Sequence, residues 1–287
     1  MNIIKSIFIS LLIPLLAVST LYSLSNIFEQ GPKLINFGLL ATCMPLLLFF
    51  ANALVFRKQA RTSKNLNIIS ILAILGLLTV LSTLVVKDEP PTEVLSFSLL
   101  AVTNLLGALF YIHWYSRLNR NTNSPLIIGE QLPTFTIYQD GSPVSSDSFI
   151  GQPTVYMFYR GNWCPFCVAH IKELVDTYQS AIHDGIRFVL VSPQPDKNTQ
   201  ALAEKFEVPF TFASDRNNSA AKSLGILHKN GLPSGLQALG YDTDTVLPTI
   251  IVVERDGTVT YLDLTDNYRV RPEIGQILEI ALTENNS

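Results

Sequence analysis

The chain has 287 residues, of which 48% are hydrophobic and only 15% charged, and its mean hydropathy is +0.30, values unusual for a soluble protein. Through Arg120, nine Lys and Arg face four Asp and Glu, a net of +5; from Asn121 onward eleven face nineteen, a net of −8. So acidic a C-terminal part repels phosphate backbones, which excludes nucleic acid as an expected partner.

Four apolar stretches come first, at about residues 3–24, 34–56, 66–86 and 94–115. Each has the roughly 20 residues that a helix needs to cross a bilayer core. Residues 1–116 are therefore expected to form an all-α transmembrane region of four helices. Lys5 near the start of the first stretch, with Ala17-Val18-Ser19 further along, leaves a cleaved signal peptide as the alternative reading of that stretch. Pro14 is tolerable in a membrane helix whose neighbours satisfy the freed carbonyl.

Lys and Arg placement sets the expected orientation. Arg57, Lys58, Arg61 and Lys64 crowd the loop after the second stretch, Lys5 marks the first, and Arg117 and Arg120 follow the fourth. The alternate loops are mostly acidic, with Glu29 beside Lys33, and Asp88, Glu89 and Glu93 beside Lys87. All three basic clusters fall on one side, which is expected to be cytoplasmic, and the C-terminal part goes with it. The second, third and fourth stretches carry no Asp, Glu, Lys or Arg between their ends, so they offer no proton or ion path. Cys43 has no second cysteine to pair with there and reads as a packing residue. His113 reads as interfacial beside the aromatic belt of Trp114 and Tyr115. Anchoring in the lipid bilayer is the expected role of this half.

Residues 117–133 form a polar, Asn-rich linker, and residues 134–287 alternate strands with helices. Phe135–Gln139 reads as a strand before the turn Asp140-Gly141, and Thr154–Tyr159 as a buried strand. Pro165–His183 places Val168, Ile171, Leu174, Val175 and Tyr178 on one helical face. Arg187–Val191 is a second buried strand, and Thr199–Phe206 and Ser219–Leu224 read as helices. Thr249–Val253 and Thr258–Leu264 make a hairpin around Asp256-Gly257, and a last helix starts near Pro272. The class is α/β, a central sheet between helices.

Cys164-Pro165-Phe166-Cys167 lies directly after a buried strand and opens a helix. Helix N-terminal N–H groups favour an anion, so thiols in a first turn are acidified. Spaced three apart, the two can close a disulfide within one turn and cycle between dithiol and disulfide. Structural zinc would need more ligands, and His170, His183 and His228 lack the usual spacing. A disulfide closing so short a loop constrains little of the unfolded chain, which leaves redox chemistry as the reading.

Phe158-Tyr159-Arg160-Gly161-Asn162-Trp163-Cys164-Pro165-Phe166-Cys167 resembles the active-site segment of the peroxiredoxin-like branch of the alkyl hydroperoxide reductase/thiol-specific antioxidant family. The resemblance runs from about Leu126 to Leu282. It takes in Val189-Leu190-Val191-Ser192-Pro193-Gln194-Pro195-Asp196, Phe212-Ala213-Ser214-Asp215, Leu247-Pro248-Thr249 and Asp266-Asn267-Tyr268-Arg269-Val270-Arg271-Pro272. It implies a thioredoxin-like fold, with a central mixed sheet flanked by helices.

On the peroxiredoxin pattern of Pro, three residues, Thr or Ser, two residues, Cys, the peroxidatic position falls on Cys167. The hydroxyl position then falls on Cys164 and the Pro position on Arg160, so two of the three motif residues depart from the pattern. In thioredoxins the first Cys is the nucleophile, here Cys164 after Trp163, and Leu247-Pro248-Thr249 resembles their cis-proline loop. Arg160 is a candidate source of positive charge, and His170 reads either as a tuner of Cys167 or as a solvated helix histidine.

The leading expectation is peroxide reduction by Cys167, with Cys164 resolving the sulfenic acid to a Cys164–Cys167 disulfide and Trp163, Pro165, Arg160, Pro248 and Thr249 in support. Thioredoxin or glutaredoxin is the expected reductant, a hydroperoxide the substrate, and neither cofactor nor metal is implied. The expected location is integral and multi-pass, in a bacterial inner or plasma membrane. A thiol–disulfide oxidoreductase using Cys164, and a non-enzymatic membrane redox sensor, are the alternatives. Oligomeric state, the particular hydroperoxide and residue roles within Ile226–Val246 are not legible.

Overall fold

The computed structural model describes residues 2–86, 89–120, 124–182 and 185–283. The chain divides into two compact units. One holds Ile7–Phe56 and Ser63–Ser116; the other holds Arg117 onward together with the first residues through Ser6 and the loop segment Arg57–Thr62. The boundary read from sequence put both of these small segments with the apolar helices, because it followed the chain and not the contacts.

The apolar unit is built from α1 (Asn2–Gln30), α2 (Leu34–Phe56), α3 (Asn67–Val86) and α4 (Pro91–Phe110), the last continued by a π-helical turn, Tyr111–Tyr115. These helices are long and apolar enough to cross a membrane. Its centre is Ile35, Leu39, Val80, Val94, Phe97 and Ala101. Glycines let α2 and α3 touch: a Cβ on Gly76 would sit 2.6 Å from the Gly38 carbonyl oxygen, and one on Gly38 would sit 2.9 Å from the Val80 nitrogen. Several buried polar side chains pair across helices, as in Ser19 to Asn104 and Asn104 to Thr42, both at 3.3 Å. The outward faces stay apolar; Leu75, Leu78 and Leu99 are more than half exposed.

The second unit is α/β. Its seven-stranded mixed sheet uses β1 (Thr136–Gln139), β2 (Ser142–Ser145), β3 (Thr154–Phe158), β4 (Arg187–Ser192), β5 (Thr211–Ser214), β8 (Thr249–Val253) and β9 (Val259–Asp263) in the order β2-β1-β5-β4-β3-β8-β9. Strands β3, β4 and β5 are parallel, and β8 runs antiparallel to β3 with Phe158 opposite Thr249. β3 and β8 are buried along their whole length, which is why they read as continuous apolar runs and not as alternating ones. A separate two-stranded ribbon pairs β6 (Leu227–His228) with β7 (Thr245–Val246). The helices are α5 (Pro165–Ile182), α6 (Asp196–Phe206), α7 (Ser219–Ser223) and α8 (Ile274–Thr283). α5 and α8 pack on one another, α6 lies along β5, and α7 rests on β1.

α5 presents Val168, Ile171, Leu174 and Tyr178 to the interior, as its spacing predicts, with Val175 half-buried; His183 lies outside the described residues. Two strands carry no apolar signature. β2 is half exposed and follows from the turn at Asp140 and Gly141, whose φ angles of 49° and 82° are those of a tight hairpin. β5 has only four residues, too few for a periodicity to register.

The described residues of the expected linker, 117–120 and 124–133, are docked onto the sheet unit. Leu118 N donates to the Asp266 carbonyl at 2.7 Å, Gly129 N to that of Val259 at 2.8 Å, and Leu132 N to that of Gly257 at 2.9 Å. Its composition reads as a linker because its order comes from backbone bonds to the β9 side of the sheet, which composition does not record.

Candidate active site

Strand β3 delivers the chain to a tight turn, Tyr159–Trp163, and α5 begins at once. Cys164 occupies the capping position, its carbonyl accepting from Cys167 N and Val168 N, both at 3.1 Å. Pro165 follows at the first helical position, where a missing N–H costs nothing. The turn needs Gly161: its φ is +143°, and a Cβ there would lie 2.7 Å from Trp163 Nε1. Gln194, just past β4, ties the turn down, its Oε1 accepting from Asn162 N at 2.8 Å while its Nε2 donates to the Tyr159 hydroxyl at 3.1 Å.

Both sulfurs are free thiols and each residue is only 1% exposed. Burial pushes the Cys164 thiol well up, and its proton is spent in a hydrogen bond to Cys167. Burial opposes ionisation of Cys167 too, yet Cys167 is held below the ordinary thiol range. The donated hydrogen bond from Cys164, the Arg271 guanidinium, and a backbone hydrogen bond and charge from Arg160 together outweigh burial. Arg271 Nη2 lies 3.4 Å from Cys167 Sγ, and its Nε donates to the Tyr268 carbonyl at 3.2 Å. The pair is thus polarised, with one thiol kept protonated and pointing its proton at the other.

Arg160 is buried, with its guanidinium 4.6 Å from the centre of the Trp163 ring and 5.6 Å from that of Tyr268, and Nη2 donating to the Gly231 carbonyl. A surface arginine is excluded. Thr245 Oγ1 donates to the Arg160 carbonyl at 3.0 Å, and the Tyr241 hydroxyl bonds Asn162 Oδ1. Residues of the stretch Ile226–Val246 therefore touch the turn before the thiols, which its composition did not reveal.

His170 corrects the solvated alternative: it is 1% exposed, because α5 turns this face toward α8 and not toward water. Burial, then the charges of Arg271 and Arg61, lower its pKa to about 3, so it is neutral. Its Nε2–H donates to the Pro272 carbonyl at 3.2 Å, and Nδ1 has no hydrogen-bond partner among the described residues. Pro248 and Thr249 stand one strand away from the end of β3, and their polar contacts run elsewhere. Arg120 donates to the Pro248 carbonyl, and to Thr249 Oγ1 at 3.1 Å. The Leu247–Pro248 peptide is trans, which departs from the cis-proline resemblance; the trans form is the lower-energy one for most X–Pro bonds. Among the described residues no cluster of three or more His, Cys, Asp and Glu is arranged to hold a metal ion.

The residue that sequence reasoning missed is Arg271. It lay in the quoted run Asp266–Pro272, but 104 positions beyond Cys167 nothing local ties it to a sulfur.

The model of the AhpC/TSA family matches residues 128–262. That stretch lies within the second unit and takes in its sheet from β1 into β9. A chloroplastic peroxiredoxin Q from Sedum lineare is 33% identical over 99 residues, which are 34% of this chain and 53% of that protein. One from Triticum aestivum is 29% identical over 153 residues, 53% of this chain and 65% of that protein. The chain thus spans about half the length of the first of these relatives and under two thirds of the second. Among solved structures, reduced Prx3 from Vibrio vulnificus aligns over 54% of this chain and 98% of its own, with 18% identity and a TM-score of 0.47. The four apolar helices lie outside the stretch that matches the AhpC/TSA domain.

Proposed function

We propose that the chain is a membrane-anchored thiol peroxidase that reduces a hydroperoxide through Cys167 and Cys164. The observation that carries this reading is the polarised, buried pair. A thiol–disulfide oxidoreductase of thioredoxin type needs its first cysteine exposed and acidic, since a protein disulfide must reach it. Here Cys164 is buried and its pKa is raised, whereas the acidic sulfur is Cys167. That order of acidity is the one a peroxidatic Cys167 with a resolving Cys164 requires, and the reverse of the one a thioredoxin-type Cys164 requires.

The steps balance as follows. The Cys167 thiolate attacks the terminal peroxide oxygen, the O–O bond breaks, and the departing alkoxide takes a proton to leave as an alcohol or water. Cys167 is then a sulfenic acid, oxidised by two electrons. The Cys164 sulfur attacks it, the S–S bond forms and water leaves. A dithiol of thioredoxin or glutaredoxin type accepts the oxidation and restores both thiols. Arg271 and the Arg160 backbone bond stabilise negative charge on Cys167 before attack.

In single-turnover mixing with hydrogen peroxide or an alkyl hydroperoxide, the reduced protein is expected to consume one equivalent at least about 100-fold faster than a free thiol at the same pH. Reduction of insulin disulfides at that pace, with peroxide left untouched, would instead establish the oxidoreductase.

Membrane insertion is supported by the apolar outward faces of α1–α4, which no water-soluble surface would carry at that density. The basic residues Arg57, Lys58, Arg61, Arg117 and Arg120 fall in one unit with the thiols, which supports a cytoplasmic redox domain. A membrane-impermeant maleimide is expected to spare Cys164 and Cys167 in intact cells and to label them in denatured lysate. Labelling of both from outside intact cells would reverse the topology.

A further inference from the structure

The loop between α2 and α3 is more than a connector. Its segment Arg57–Thr62 packs as part of the redox unit and reaches the chain on both sides of Arg271. Upstream, Thr62 N donates to the Arg269 carbonyl at 2.9 Å, and Arg269 Nη1 donates back to Thr62 Oγ1 at 2.7 Å. Arg269 is fully buried. Downstream, Arg61 Nη2 donates to the Pro272 carbonyl at 3.2 Å, the same oxygen that receives His170 Nε2–H. Arg61 also binds the Glu173 carboxylate, at 2.6 Å to Oε2, and that carboxylate accepts from Ile274 N at 3.4 Å, at the start of α8. Glu173 rises from α5, six residues past Cys167. One loop therefore grips the helix that carries the thiol and the strap that carries its arginine.

We propose that Arg61 and Thr62 are positioning residues for the thiol site: by clasping the strap at Arg269 and Pro272 and the helix at Glu173, they set the approach of Arg271 to Cys167. The inference rests on Arg271 supporting the Cys167 thiolate. Neither residue touches a sulfur or a reacting atom. Among the described residues, Arg271 and Arg160 are the cations that favour the Cys167 thiolate, and the neighbouring Cys164, Tyr159 and His170 are uncharged, so the strap's position governs a large share of the local charge. The strap itself is short and follows no regular element, so its place depends on side chains that hold it.

The test is an ultraviolet thiolate titration of the full-length protein in detergent, referenced to Cys167→Ser, on Arg61→Gln, Thr62→Val and the conservative Arg61→Lys. Arg61→Gln and Thr62→Val are each expected to move the Cys167 midpoint up by about half to one pH unit, a roughly three- to tenfold loss of thiolate below the midpoint. Arg61→Lys keeps a cationic donor for Glu173 and the Pro272 carbonyl and is expected to leave the midpoint closer to wild type than Arg61→Gln does, a graded response that a generic loss of folding would not give. Lys58→Gln removes an equal charge from the same loop and is expected to leave the midpoint in place; an equal shift there would reduce the effect to bulk electrostatics and overturn the proposal. Unmoved midpoints in Arg61→Gln and Thr62→Val, beside a shifted one in Arg271→Gln, would overturn it while sparing the thiolate reading. An unmoved midpoint in Arg271→Gln as well would remove the thiolate reading and this inference together.

Discussion

Arg271→Gln is expected to raise the ionisation midpoint of Cys167 by about one to two pH units, the worth of a hydrogen bond to a charged group of roughly 1.5–3 kcal/mol. The sign follows from the site. Cys167 sits below the ordinary thiol range because interactions with the thiolate outweigh burial, and the Arg271 guanidinium lies 3.4 Å from its sulfur. Removing it leaves burial in place and lets the pKa climb. Reaction with peroxide in wild type should fall as pH drops through the low midpoint and stay level above it. In the variant the same fall begins one to two units higher, so at a pH below both midpoints the rate drops about 10- to 100-fold. Arg271→Lys keeps the charge but loses the fork that bonds Tyr268 and Cys167 at once, and should fall between the two. A stopped-flow pH profile checks this; identical profiles for Arg271→Gln and wild type would remove Arg271 from the site.

What the sequence disclosed and what it withheld divide along physical lines. Apolar runs long enough for a bilayer, the buried strands at Thr154 and Thr249, and the thiol pair at a strand-to-helix turn are local patterns, so they were legible. The mixed order of the sheet is a long-range arrangement, and it came only with the resemblance of Phe158–Cys167 to a family of known fold. Arg160 was singled out by adjacency and proved to be buried against Trp163, a contact within four residues. Arg271 and Arg61 stayed hidden, since each meets its partner across more than 100 residues. His170 was ambiguous because the spacing that places it on the face of Cys167 says nothing of what packs over that face. Residues 117–133 have the composition of a linker, and Leu118, Gly129 and Leu132 are tied down by backbone bonds, which leave no mark on side-chain identity.

The second large effect separates the two cysteines. Cys167→Ser removes the sulfur held as thiolate and is expected to reduce the peroxide reaction by at least about 1000-fold, since a serine hydroxyl at this site has no comparable ionised form. Cys164→Ser keeps the nucleophile and, through the serine hydroxyl, a hydrogen-bond donor beside it, but removes the resolving sulfur. That variant should still react and stop at the sulfenic acid, which further peroxide carries to sulfinic acid. The polarity of the buried pair, Cys164 as donor and Cys167 as thiolate, predicts this asymmetry and its direction.

Peptide mass spectrometry after one equivalent of hydroperoxide reads the chemistry at the sulfurs themselves. Wild type should yield a peptide containing Cys164 and Cys167 that is two hydrogens lighter than the reduced form. Cys164→Ser should yield a single added oxygen on Cys167, and Cys167→Ser neither product. An oxygen retained on Cys164 in the Cys167→Ser protein, or a wild-type pair that never joins, would contradict the assignment of Cys167 as the attacking sulfur and Cys164 as its partner.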